Sequence, residues 1–116
     1  MSIDAAYIER CRSEIASTAQ GMLNGDCSYI EGSRRILQSL KGAGISDRQK
    51  PFLVFASIDS ETDAIPVGKQ LEHWSDTSIA RFRPDWDAAE AWAQKHGEAA
   101  CREAISWLES NPANFR

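Results

Sequence analysis

The sequence predicts a mostly α-helical fold. It reads as one domain over residues 1–116, a compact helical bundle with an N-terminal helical hairpin, an irregular central segment and a long C-terminal helix. Three observations carry this. Apolar residues recur at three- and four-residue spacing over 4–24, 29–41 and 85–109, the period of one helix face. A stop follows each stretch, at Asn24-Gly25, at Gly42 with Gly44, and at Asn111-Pro112. No second convincing strand exists, and a lone strand would leave its backbone groups unsatisfied. The length of 116 residues, 42% hydrophobic and 26% charged, suits one globular domain, which at this size buries roughly two-thirds of its unfolded surface without disulfides or metals.

The elements follow in order. In the first predicted helix, Tyr7, Ile8, Cys11, Ile15, Ala19 and Met22 share a face, while Glu9, Arg12, Ser13 and Gln20 project elsewhere. Ser28 with Glu31 has the spacing of a capping box and opens the second helix, whose face is Tyr29, Ile30, Ser33, Ile36, Leu37 and Leu40. The short connection makes the pair an antiparallel hairpin. Arg34 and Arg35 are expected on its solvated side. A polar connector over 45–50 leads to Phe52–Ile58, where aromatic and β-branched residues favour a strand and Pro51 with the Phe52, Phe55, Ala56 spacing favours a short buried helix. Helix is preferred because no partner strand exists. After Pro66-Val67-Gly68, Gln70, Leu71 and Trp74 suggest two helical turns. Ser75-Asp76 caps a further short piece holding Ile79 and Phe82, and Pro84 is expected to close it by restricting Arg83. The last helix, from about Asp85 to Glu109, carries a stripe of Trp86, Ala89, Ala93, Gly97, Ala100, Ala104, Trp107 and Leu108. Small residues at its middle let a neighbour approach closely. His96 borders the stripe and reads as a hydrogen-bonded boundary residue.

Composition narrows function. Cys11, Cys27 and Cys101 are widely spaced with no Cys-x-x-Cys, so they read as reduced thiols rather than a disulfide framework or zinc site. The run Phe52–Ala56 is far too short to span a bilayer, and Asp4 and Glu9 spoil a signal peptide. A cytoplasmic protein, monomer or weak dimer, is expected. The net charge of −4 is uneven: residues 1–50 carry six acids and seven basic residues, residues 51–116 eleven and six. An acidic half does not suit direct nucleic-acid binding, which needs clustered Lys and Arg. It suits a cationic protein partner.

The densest chemistry lies in Ile58–Trp74. Asp59, Glu61 and Asp63 alternate there, and Glu72, His73 and Trp74 follow, with Asp76 just beyond. The acids imitate the start of a calcium loop, but Ala64 and Gln70 stand where it needs glycine and glutamate. A looser metal site, or a metal-dependent hydrolase, would use Asp59, Glu61 and Asp63 with His73. No catalytic motif surrounds His73 or His96, so no enzyme, catalytic residue, cofactor or resident metal is expected. Asp59, Ser60, Thr62 and Asp63 are also the residue types that cap helices and close turns, and Ser60 with Asp63 has capping-box spacing. From Asp59 to Glu90 eight acids face Lys69, Arg81 and Arg83, with Trp74 and Trp86 interleaved. Aromatic anchors among like charges are the pattern of an interface for a basic partner. The expected partner-binding set is Asp59, Glu61, Asp63, Glu72, Trp74 and Asp76.

The segment F-x-x-I-D-S-E-T-D-x-x-P-V-G followed by tryptophan, Phe55 through Trp74, resembles a family of small bacterial proteins that look like immunity partners in toxin–immunity modules, including contact-dependent growth inhibition. It covers about twenty of the 116 residues. The resemblance implies a small non-enzymatic inhibitor that binds one protein toxin, often a nuclease. It carries no catalytic residues.

Overall fold

The computed structural model describes residues 2–66 and 71–113. Four helices account for its regular structure: α1 (Ser2–Asn24), α2 (Tyr29–Ala43), α3 (Leu53–Glu61) and α4 (Asp76–Ser110). Among the described residues there is no strand, and the helix-or-strand ambiguity at Phe52–Ile58 resolves to helix. No helix among them is long and apolar enough to cross a membrane.

The stops act as their residue types require. Gly25 (φ 84°) and Gly44 (φ 70°) take the left-handed conformation that ends α1 and α2, with Asp26 N–H donating to Gly21 O at 2.8 Å and Ile45 N–H to Leu40 O at 3.0 Å. Gly42 is not a stop. It lies inside α2, where an added Cβ would overlap Cys11 Sγ and the Tyr7 hydroxyl, so it sets the close approach of α1 and α2. Contact of Gly42 with Tyr7 and Cys11 at one end, and of Gly32 with Met22 at the other, makes the hairpin antiparallel.

α4 crosses all three other helices. Its buried residues, Ala93, Gly97, Ala100, Cys101, Ala104 and Leu108, all lie in its C-terminal half. The core they complete is closed by Ile15, Met22, Ile30, Ile36, Leu40, Phe52, Phe55 and Ile58, and Phe52 meets Trp107 edge-on at 5.4 Å. A Cβ at Gly97 would sit 3.0 Å from both Ile58 Cδ1 and Tyr29 Cδ2, so α4 rides directly on α2 and α3 there. Gly97→Val is therefore expected to lower unfolding free energy by about 1–3 kcal/mol, because the added methyls have no space. Urea denaturation checks this, and an unchanged midpoint would contradict the packing.

One predicted break is absent. Pro84 sits inside α4, so Arg83 is helical and the short piece and long helix are one element of 35 residues. Pro84 removes one backbone donor, and it is exposed. Ile79, Phe82, Trp86, Ala89 and Ala93 keep the three–four spacing straight across it, so a continuous apolar face outweighs the local preference. Ser75 caps the start, its hydroxyl accepting from Ser78 N–H at 3.1 Å. At ~1.5 Å per residue α4 is ~52 Å long, which accounts for overall extents of 54 × 27 × 23 Å.

Two arginines tie helix ends down. Arg12, expected on the solvated side of α1, is buried. It donates to Leu108 O at 3.0 Å and Asn111 O at 2.5 Å, covering carbonyls that α4 leaves open at its C-terminus. Arg34, likewise expected in solvent, donates to Asp59 Oδ1 at 3.2 Å, Thr62 O at 2.5 Å and Ile65 O at 2.9 Å, doing the same for α3. Neither role has a local signature, since the partners lie 25 or more positions away.

The core thiol and phenol resist ionisation. Burial pushes Cys101 and Tyr29 each up to about 12. A group held protonated by the fold contributes its stability fully below its unfolded pKa and loses it as pH rises towards the folded one. Stability is thus expected to be insensitive to these groups up to about pH 9 and to fall between about pH 9 and 12. Urea midpoints across that range check it, and Cys101→Ala should flatten the lower part of the fall.

Candidate functional site

The antiparallel packing brings several ends to one pole. Met22 of α1 contacts Cys101, whereas Arg12 reaches Leu108 and Asn111. Phe52 of α3 meets Trp107, whereas Ile58 faces Gly97. The C-termini of α1 and α3 and the N-terminus of α2 therefore lie together, beside residues 86–97 of α4. Beyond them residues 76–85 of α4 overhang the bundle, with no side chain fully buried. Pro66, Leu71, Trp74, Ile79, Phe82 and Trp86 form a small apolar cluster along this overhang, in which Trp74 packs edge-on against Phe82 at 5.6 Å.

Most of the expected acids are at this pole, but they do different things. Glu61, Asp63, Glu72 and Asp76 are exposed. Asp59 is half-buried and paired with Arg34 at 3.2 Å, so its first role is structural. Asp76 opens α4, where a negative charge favours the helix dipole. Glu90, counted with the acidic region, is committed elsewhere: its carboxylate accepts from Tyr29 N–H at 2.6 Å and Ile30 N–H at 3.2 Å. It thus completes the cap of α2, where Ser28 Oγ accepts from Glu31 N–H at 2.9 Å. Trp74 is half-buried and serves its own cluster. Lys69 and Gln70 lie outside the described residues, as do Val67 and Gly68 of the expected turn. Leu71 to Trp74 closes a single turn, Trp74 N–H to Leu71 O at 3.0 Å.

The capping box expected of Ser60 and Asp63 does not form, because α3 ends there instead of beginning. Thr62 caps that end, its hydroxyl donating to Ile58 O at 2.6 Å. Asp59 and Glu61, two residues apart on a helix, point about 200° from one another, which explains why alternation produced no convergent site. Among the described residues no three His, Cys, Asp or Glu side chains gather as metal ligands, so Asp59, Glu61, Asp63 and His73 are not assembled into the looser metal site.

Glu61 and Asp63 stand out electrostatically. Each is exposed, and neither has an ion-pair partner among the described residues. Glu61 is the last residue of α3, and Asp63 follows its C-cap Thr62, so both charges lie at the rim where Arg34 holds the Thr62 carbonyl.

Two features of this pole arise only from the packing of the helices. Asp26, in the α1–α2 turn, and Asp87, on α4, border an open cleft of about 470 Å³ with Cys27, Tyr29, Trp86 and Glu90. Further along α4, Trp92 is 36% exposed, its ring 4.6 Å from that of His96. His96 is itself exposed and leans against Trp92 at an interplanar angle of 48° on the outer face instead of bordering the core. The Asn24–Ser28 turn could signal only a turn, since its proximity to Asp87 arises from the crossing of α4. Comparison of the chain with family models, with curated proteins and with solved structures gives no match.

Proposed function

We propose that this chain is an immunity protein. It binds and neutralises a cognate bacterial toxin domain, a basic nuclease being the expected kind, through the acidic pole, and catalyses no reaction itself. The contact-dependent growth-inhibition resemblance of Phe55–Trp74 supplies the class of partner.

The observation that carries the reading is the placement of Glu61 and Asp63. Both are exposed acids with no ion-pair partner among the described residues, at the end of α3 and just beyond it. A basic partner that covers them supplies the counter-charge they lack. Glu72 and Asp76 on the overhang extend the same potential, and Trp74 holds the apolar cluster that stiffens it. Asp59 contributes by anchoring the segment through Arg34.

The test is co-purification with the C-terminal domain encoded by the adjacent reading frame. The reading predicts a stoichiometric complex that survives moderate salt, forms more slowly as salt rises, and abolishes the toxin's activity. Absence of any complex with that domain would sink it.

A further inference from the structure

We propose that the outer face of α4 is an interface for a second copy of this chain, two α4 helices docking antiparallel. The proposal is independent of the immunity reading. Asp85, Ala88, Trp92, Lys95, Ala99 and Arg102 recur at alternating three- and four-residue spacing, the seam of a paired helix. All six are exposed. At about 100° per residue the seam lies roughly 150° round α4 from the buried stripe of Ala93, Gly97, Ala100, Ala104 and Leu108. Trp92, 36% exposed, is the one large apolar side chain that α4 leaves in solvent among the described residues.

Charge selects the occupant and its direction. A two-fold axis crossing α4 between Ala93 and Gln94 sets Asp85 opposite Arg102 of the second copy, Ala88 opposite Ala99, and Trp92 opposite Lys95. Each pairing occurs twice, so the face is self-complementary, as a two-fold interface requires. Arg81 comes within one turn of Glu103 at either end. Each charge on the seam then meets an opposite charge or an aromatic face, while the alanines let the two backbones approach. A parallel pair in register would instead oppose Asp85 to Asp85, Lys95 to Lys95 and Arg102 to Arg102, which like-charge repulsion disfavours.

The charges are available for this. Asp85 and Lys95 have no ion-pair partner among the described residues, and Arg102 pairs only with Glu98 of its own helix while its side chain stays 63% exposed. Glu61 and Asp63 are left uncovered, because α3 docks on the other side of α4, where Ile58 meets Gly97. Exposed ion pairs and one tryptophan per copy make a weak dimer, with a dissociation constant on the order of 100 μM.

Sedimentation equilibrium of the full chain from about 10 μM to about 1 mM tests this. The weight-average mass is expected to rise from 12.9 kDa towards twice that value. Asp85→Arg alone and Arg102→Asp alone each set like charges across the seam, and each should weaken dimerisation at least about tenfold. Mixed in equal amounts, the two variants restore both opposite-charge pairs, and a heterodimer within about threefold of the native affinity is expected. Misfolding of either variant could not produce that rescue. A chain that stays at 12.9 kDa throughout, or a mixture no heavier than its components, would overturn the proposal. So would a dimer that neither substitution weakens.

Discussion

Phe55→Ala is expected to lower the unfolding free energy by about 3–5 kcal/mol, the range for emptying a buried aromatic site. Phe55 is fully buried, its ring 6.4 Å from that of Phe52. The consequence exceeds a local cavity because α3 is only nine residues long. A helix of that length has no stability of its own in water, so it is held by docking. Within it only Phe55 and Ile58 are buried, and removing one leaves the other with Phe52 and Thr62 to hold it. Against a total of about 5–15 kcal/mol for a domain, the loss is large. Equilibrium urea unfolding measures it, and a loss below about 1 kcal/mol would mean that α3 is not docked as described.

Arg34→Met is expected to cost about 2–3 kcal/mol. It preserves the aliphatic stem but withdraws the donors from Asp59, Thr62 O and Ile65 O. Hydrogen bonds from a charged group are worth about 1.5–3 kcal/mol each, and Arg34 is partly exposed at 20% of its side chain, so water recovers a share of the three. The distinguishing consequence is local: amides around 62–66 should exchange faster and become the first site of proteolysis. Arg34→Lys should restore less than half of the loss, because an ammonium cannot reproduce a fork that spans two carbonyls and a carboxylate. Full rescue by lysine would show that charge alone matters there.

These two residues illustrate what sequence could and could not reveal. The helices were legible because periodicity and stops are local: Gly25, Gly44, Ser28 and Asn111 each end or begin an element where their chemistry predicts. Pro84 misled because its restriction on Arg83 is a local preference, while the 79–82–86–89–93 stripe that overrides it spans two predicted elements. Arg12, Arg34 and Glu90 looked like solvated charges. Each is instead the cap of a helix distant in sequence. The acids of 59–63 were legible as a cluster by type, yet a helical backbone disperses them, leaving Asp59 to structure and Glu61 and Asp63 to solvent.

The most direct test reverses the charge of Glu61 and Asp63 together and follows two quantities, the stability of the free protein and its affinity for the neighbouring toxin domain. The free protein is expected to keep its stability within about 0.5 kcal/mol, because both side chains are exposed and have no ion-pair partner among the described residues. Affinity is expected to fall at least about tenfold, with a shallower salt dependence. Unchanged affinity and salt dependence would remove this end of α3 from the interface and contradict the central claim.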